Sequence, residues 1–212
     1  MKNTSLALEC ALLFFLLPLV LWLFRQTLAF KVVPLLMGLG PLALIYLYRA
    51  KDFDRSVFFR IRGRLGQVRS MALLFCLLGP LMVLASRLIV PEHFLAFPRE
   101  KPAIWALVML LYPLLAALPQ EIIFRCFFFH RYGRLFNGTR ALILFNGISF
   151  GLFHLFYGNW AAPILSGLGG VLFAWRYSRS GSLPVTALEH ALWGNLLFTA
   201  GLGWFFYSGS IR

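Results

Sequence analysis

The chain has 212 residues, 60% of them hydrophobic and 13% charged, with a mean hydropathy of +0.80. Soluble domains carry about 45–50% apolar and about 25% charged residues, so this composition excludes a soluble globular domain and implies a polytopic membrane protein built as one all-α bundle. The net charge of +13 does not make a nucleic-acid surface. Its aromatic side chains lie inside the apolar runs and not among the loop cations, where stacking on bases would need them.

About 20 helical residues cross a hydrocarbon core of ~30 Å. Runs of that order occur at 6–24, 32–48, 71–90, 103–129, 141–157, 161–177 and 184–207, which predicts a bundle of about seven transmembrane helices. Lys2 followed by the first run resembles a signal peptide. No A-x-A-like site follows it closely and further runs come after, so it is read as a retained first span. Between the second and third runs, Arg49, Lys51, Arg55, Arg60, Arg62, Arg64 and Arg69 form the pattern of a cytoplasmic loop facing anionic lipid. The fourth run carries Pro113 and Pro119, and two helices meeting at Pro119 would raise the count to eight.

Seven spans put Arg131, Arg134, Arg140, Arg176 and Arg179 on the same side as the basic 49–70 loop. The amino terminus is then cytoplasmic, and Arg25, Lys31 and Arg212 fall on the opposite side. An impermeant thiol reagent is therefore expected to leave a single cysteine at Ser56 unlabelled in intact cells. Efficient labelling from outside would invert this topology. Cys10, Cys76 and Cys126 lie far apart inside apolar runs and read as small buried hydrophobes, with no disulfide framework or metal-binding spacing.

An ionisable group at mid-membrane costs roughly 2.5–3.5 kcal/mol on insertion scales and persists where it pairs or lines a cavity. Glu121, Arg125, His154, His190 and Asn195 therefore mark an intramembrane site. Glu121 and Arg125 are i and i+4 and can pair on one helix face, with a purely structural ion pair as the competing reading. Gln120 can hydrogen-bond a water or a carbonyl but cannot act as a base. His154 can orient or deprotonate a water; a core histidine bonded to a backbone carbonyl is its competing reading. His190 and Asn195 can donate to a developing oxyanion. Glu189 is expected on a different side of its helix from His190, His130 as an interfacial anchor, and His93 in a solvated loop.

Asn137-Gly138 is a turn signal. Glu121 stands 16 residues before Asn137, and His154 stands 16 after Gly138. Two antiparallel helices joined there bring both to one depth at ~1.5 Å per residue. Glu121, Arg125, His154 and His190 are thus expected to converge on one polar cavity.

Gln120-Glu121-x-x-x-Arg125, Phe150-x-x-x-His154 and His190-x-x-x-x-Asn195, in this order on successive helices, resemble the CAAX prenyl protease and bacteriocin-processing family of intramembrane endopeptidases. The resemblance covers roughly residues 103–207. It implies that a motif glutamate and the first histidine activate a water for peptide hydrolysis, while the second histidine and an asparagine support the oxyanion. Carried over, Glu121 matches the second glutamate of the family's Glu-Glu-x-x-x-Arg motif, Arg125 its arginine, His154 the first histidine and His190 the second.

Two positions depart from the family pattern. Gln120 stands where the first glutamate would be, which leaves Glu121 as the candidate base. Asn195 is five residues after His190 instead of four, which turns it from about 40° to about 140° off the histidine's face on an ideal helix. A π-bulge at Gly194 would restore the facing.

The resemblance implies a membrane-embedded or membrane-associated peptide or protein substrate, with residues 103–212 as the catalytic bundle and 1–102 as amino-terminal helices plus the basic loop. It also implies a multi-pass protein of a prokaryotic plasma membrane. No cofactor is expected, because no ligand set beyond Glu121 calls for a metal. Two alternatives compete: a non-catalytic family member that binds a membrane partner, and a membrane protein whose His154 and His190 ligate a b-type haem or a metal. A visible spectrum and a metal analysis separate the last from the others.

Overall fold

Each apolar run becomes a helix, and among the described residues no strand occurs. The computed structural model describes residues 2–28 and 32–206, so Lys31, Arg212 and the end of the last expected run at 207 lie outside the described residues. The principal helices are α1 (Asn3–Leu23), α2 (Val32–Arg49), α3 (Leu65–Ile89), α4 (Pro102–Leu135), α5 (Thr139–Phe153), α6 (Ala161–Ser180) and α7 (Leu183–Ala200). A 3-10 turn at His154–Tyr157 extends α5.

This is an integral membrane protein of the all-α class. Four helices are long and apolar enough to cross a bilayer: α1, α3, α4, and α5 with its extension to Tyr157. Helix α2 is apolar over Pro34–Arg49 but shorter. The expected count of about seven is therefore not reproduced by length and hydropathy. The physical reason is composition: α6 carries Arg176, Arg179 and several glycines and serines, and α7 carries Glu189, His190 and Asn195. On α3, Leu73, Leu77, Leu81, Leu84 and Leu88 recur every three or four residues and are all exposed. Such a stripe on an outer face is solvated by lipid rather than by water.

Helix α4 is one element of 34 residues, not two meeting at Pro119. It carries two wider π-helical turns, at Pro113–Ala117 and Ile122–Phe127; the first relaxes the i→i−4 ladder where Pro113 lacks a donor, and Pro119 lies in the α-helical turn between them. A bend at residues 136–138 then reverses the chain, with Gly138 at φ +95° ahead of α5. Helices α5 and α6 pack so closely that a Cβ at Gly147 would lie 2.4 Å from a methyl of Val171, and one at Gly151 would lie 2.7 Å from the Pro163 carbonyl oxygen. Small residues give membrane helices this approach. Gly181, left-handed at φ +55°, stops α6, and the Ser182 hydroxyl caps α7 by accepting from the Val185 amide at 3.3 Å.

The basic loop is shorter than 49–70, because α3 already begins at Leu65. A 3-10 turn at Arg55–Phe58 buries Val57 and Phe58. Arg60 hydrogen-bonds the side chains of Asp54 and Ser56 and reaches the Gly181 carbonyl at 3.3 Å. Ser56 and then Arg60 hold the Asp54 carboxyl below the usual carboxylate range. The loop is thereby tied to the α6–α7 turn. Arg176, expected on the same side as this loop, is an internal group. It is fully buried within α6, pairs with Glu189 through contacts of 2.7 and 2.9 Å, and donates to the Gln67 carbonyl at 3.0 Å.

Candidate active site

The second π turn of α4 and the mid-helix asparagine of α5 build one buried polar cluster. Glu121 and Arg125 are both fully buried, and Arg125 Nε lies 3.1 Å from Glu121 Oε2. Arg125 Nη1 donates to Asn146 Oδ1 at 2.7 Å, and Asn146 Nδ2 donates to the Phe124 carbonyl at 2.7 Å. The guanidinium also lies over the rings of Phe150 (5.1 Å) and Phe173 (5.8 Å), which adds cation–π attraction where water is absent. The other carboxylate oxygen, Glu121 Oε1, is 2.8 Å from His190 Nδ1. A carboxylate only accepts, so this nitrogen carries the proton and His190 is left with Nε2 free. The imidazole is held flat against Phe173, with centroids 4.5 Å apart and planes 18° apart.

His154 shows the same polarity from another helix. Its Nδ1 is 2.8 Å from the Phe150 carbonyl oxygen four residues earlier. A carbonyl also only accepts, so Nδ1 again holds the proton and Nε2 is the free nitrogen.

Both histidines line one cavity of about 910 Å³. Tyr112, Tyr157, Gln120, Ser166 and Trp193 are its other residues with polar side-chain atoms, and leucine is the commonest residue of the wall. Leu78, Leu107 and Leu168 both line it and are exposed, so its mouth opens toward lipid. The amino-terminal half contributes Pro34, Leu36, Leu74 and Met82 to the wall.

Three expectations change here. The cavity is mainly apolar, not polar, and among its described lining residues none is Asp, Glu, Lys or Arg. Glu121 and Arg125 are packed behind His190 instead of facing it, and the carboxylate engages His190, not His154. Helix α7 is α-helical throughout Leu183–Ala200, with no π-bulge at Gly194. Asn195 accordingly turns to α4, where Nδ2 donates to the Met109 carbonyl at 3.2 Å. The residue that does line the cavity is Gln120, whose Oε1 is buried without a hydrogen-bond partner.

Residues 102–206 match the family model described as Rce1-like, a type II CAAX prenyl endopeptidase. The carboxy-terminal half of the chain belongs to this protease family. No curated protein and no solved structure matches the chain. The Rce1-like segment contains α4 to α7 and every polar residue of the cluster just described. Three of the remaining titratable side chains, the last of them outside this segment, have structural partners. Glu189 is gripped by Arg176, His130 lies 3.6 Å from Asp52, and His93 stacks on Trp204 at 4.0 Å. Among the described residues, no group of three or more His, Cys, Asp and Glu side chains is gathered as a metal set.

Asn146 and Tyr112 were not among the expected site residues. Asn146 was detectable: it lies eight residues before His154 on the same apolar helix, hence near the same face. Tyr112 gives no such signal, since a tyrosine before a proline in an apolar run reads as an interfacial or core ring.

Proposed function

We propose that this protein is an intramembrane endopeptidase that hydrolyses a peptide bond of a membrane-associated peptide, with His190 and His154 as the groups that handle the water. The observation that carries this is the pair of cavity-lining imidazoles, each with Nδ1–H committed to an acceptor and Nε2 free. Glu121 then acts through His190: it fixes the tautomer and steadies the positive charge that forms, as a carboxylate does behind a catalytic histidine. This revises the expectation of Glu121 as the direct base. His154 has only a carbonyl behind it and is better suited to hold and aim the water.

In the reaction, the water oxygen attacks the peptide carbonyl carbon while His190 Nε2 takes a water proton. The carbonyl π electrons move to oxygen. When the tetrahedral intermediate collapses, the C–N bond breaks and the leaving nitrogen takes that proton from His190. The products are a carboxylic acid and an amine. The apolar wall and the mouth between exposed leucines fit a substrate that arrives through the lipid. Residues 103–212 form the catalytic bundle in this reading. The basic loop faces the cytoplasm of a prokaryotic cell, with the amino terminus on the same side.

Replacing His190 with alanine should lower turnover of a membrane-anchored reporter peptide by about 10²–10⁴-fold, the usual worth of general acid–base catalysis. The assay uses purified, folded protein in nanodiscs. Equal hydrolysis by wild type and His190→Ala would overturn the proposal. A second reading rests on Gln120: with no carboxylate lining the cavity, the chain would be a non-catalytic family member that binds the same kind of peptide. Saturable peptide binding without hydrolysis would favour it.

A further inference from the structure

Hydrolysis needs a hydrogen-bond donor for the oxygen that becomes negative, and losing one such donor costs about 10²–10³ in kcat. The two expected donors are engaged elsewhere. Asn195 gives an Nδ2 N–H to the Met109 carbonyl and is not among the residues that line the cavity. His190 presents a lone pair at Nε2, because its proton is on Nδ1 toward Glu121. A donor must therefore come from another cavity-lining group.

Given the peptidase reading above, on which this rests, we infer that the Tyr112 hydroxyl is that oxyanion donor. Tyr112 lines the cavity and sits at the last α-helical residue before the π turn that begins at Pro113. Its ring meets that of His190 edge-on, with centroids 6.1 Å apart. The two rings therefore share one wall of the cavity. The ring is packed over the small residue of α7: a Cβ at Gly194 would fall 2.3 Å from the Tyr112 oxygen and 2.3 Å from Cε1. Phe198 closes the other side of the ring, with centroids 5.3 Å apart. Gly194 thus makes room for the hydroxyl at the level of His190, one helical turn along. The five-residue spacing that turns Asn195 away leaves a glycine where an asparagine would otherwise point, and Tyr112 occupies that space.

The step balances simply. As the carbonyl π electrons shift to oxygen, Tyr112 O–H donates a hydrogen bond to that oxygen without giving up its proton. The bond strengthens with the growing charge and weakens when the carbonyl re-forms.

Two readouts test this. Tyr112→Phe should lower kcat by about 10²–10³-fold with KM little changed, and Gly194→Ala, which forces the ring aside, should lower it comparably. The double variant should be no worse than either single one, as expected of two changes at one contact. Unchanged kcat in Tyr112→Phe would overturn the assignment.

The second readout is independent of turnover. A leucine-rich peptide with a ¹³C-labelled ketomethylene in place of one amide is bound in nanodiscs, and its carbonyl stretch is read by infrared difference. A downshift on binding to wild type that is lost in Tyr112→Phe supports the donor role. The same downshift in both overturns it while leaving the peptidase reading intact. Failure of the peptide to bind wild type at all removes that reading and this assignment together.

Discussion

Replacing Gln120 with glutamate is expected to raise peptide hydrolysis by about 10²-fold or more, the scale on which a positioned acid–base group acts. Gln120 has a buried, unpartnered Oε1 and lines the same cavity as both histidines, so the substitution places a carboxylate in the wall that carries them. Glu121 cannot fill that place, because it has no exposure and is shared between Arg125 and His190. The matched experiment is Glu121→Gln in the same nanodisc assay. It should slow turnover through His190, and Gln120→Glu should offset part of that loss. No gain from Gln120→Glu, alone or combined, would show that a cavity carboxylate contributes nothing to this site. A gain from a silent wild type would identify the chain as a binder one substitution away from catalysis.

Arg125→Leu should be among the most destabilising single changes in the bundle, costing about 3–5 kcal/mol, because removing one partner of a buried pair leaves the other uncompensated. Glu121 would keep only His190, and Asn146 Oδ1 would lose its donor. The double change Arg125→Leu with Glu121→Leu should recover much of that loss, since replacing a whole buried pair by packed apolar groups is often neutral. Reversible unfolding in bicelles measures both. A single variant as stable as wild type would mean that the pair is irrelevant to folding.

The helices were legible because hydrocarbon imposes a run length that few other constraints mimic. The 16-residue spacings around Asn137-Gly138 also identified the α4–α5 hairpin correctly. Side-chain direction was less legible. Equal depth suggested a Glu121–His154 partnership, yet depth along a bundle axis says nothing about azimuth, and the π turn at Ile122–Phe127 lies beside Glu121, where a uniform 100° per residue no longer holds. In the sequence Arg176 counts only as a cation near the end of a predicted helix. Its carboxylate partner lies 13 residues ahead across a turn, a distance over which sequence pattern carries no pairing signal. The apolar lining of the cavity was hidden for a further reason: leucines facing lipid and leucines facing an internal void obey the same periodicity.

Helix α7 is keyed on two sides. Glu189 is gripped by Arg176 and its neighbour His190 by Glu121, and adjacent helical residues point about 100° apart. Rotating α7 about its axis in either direction would tear out two buried polar contacts at once. The helix therefore cannot swivel Asn195 around to the histidine's face, in a transient state or along a mutational path of simple substitutions. Only a change of length between positions 190 and 195 re-indexes that face, so a one-residue deletion there, and not a repacking of its neighbours, is the route by which this chain would regain an asparagine beside its second histidine.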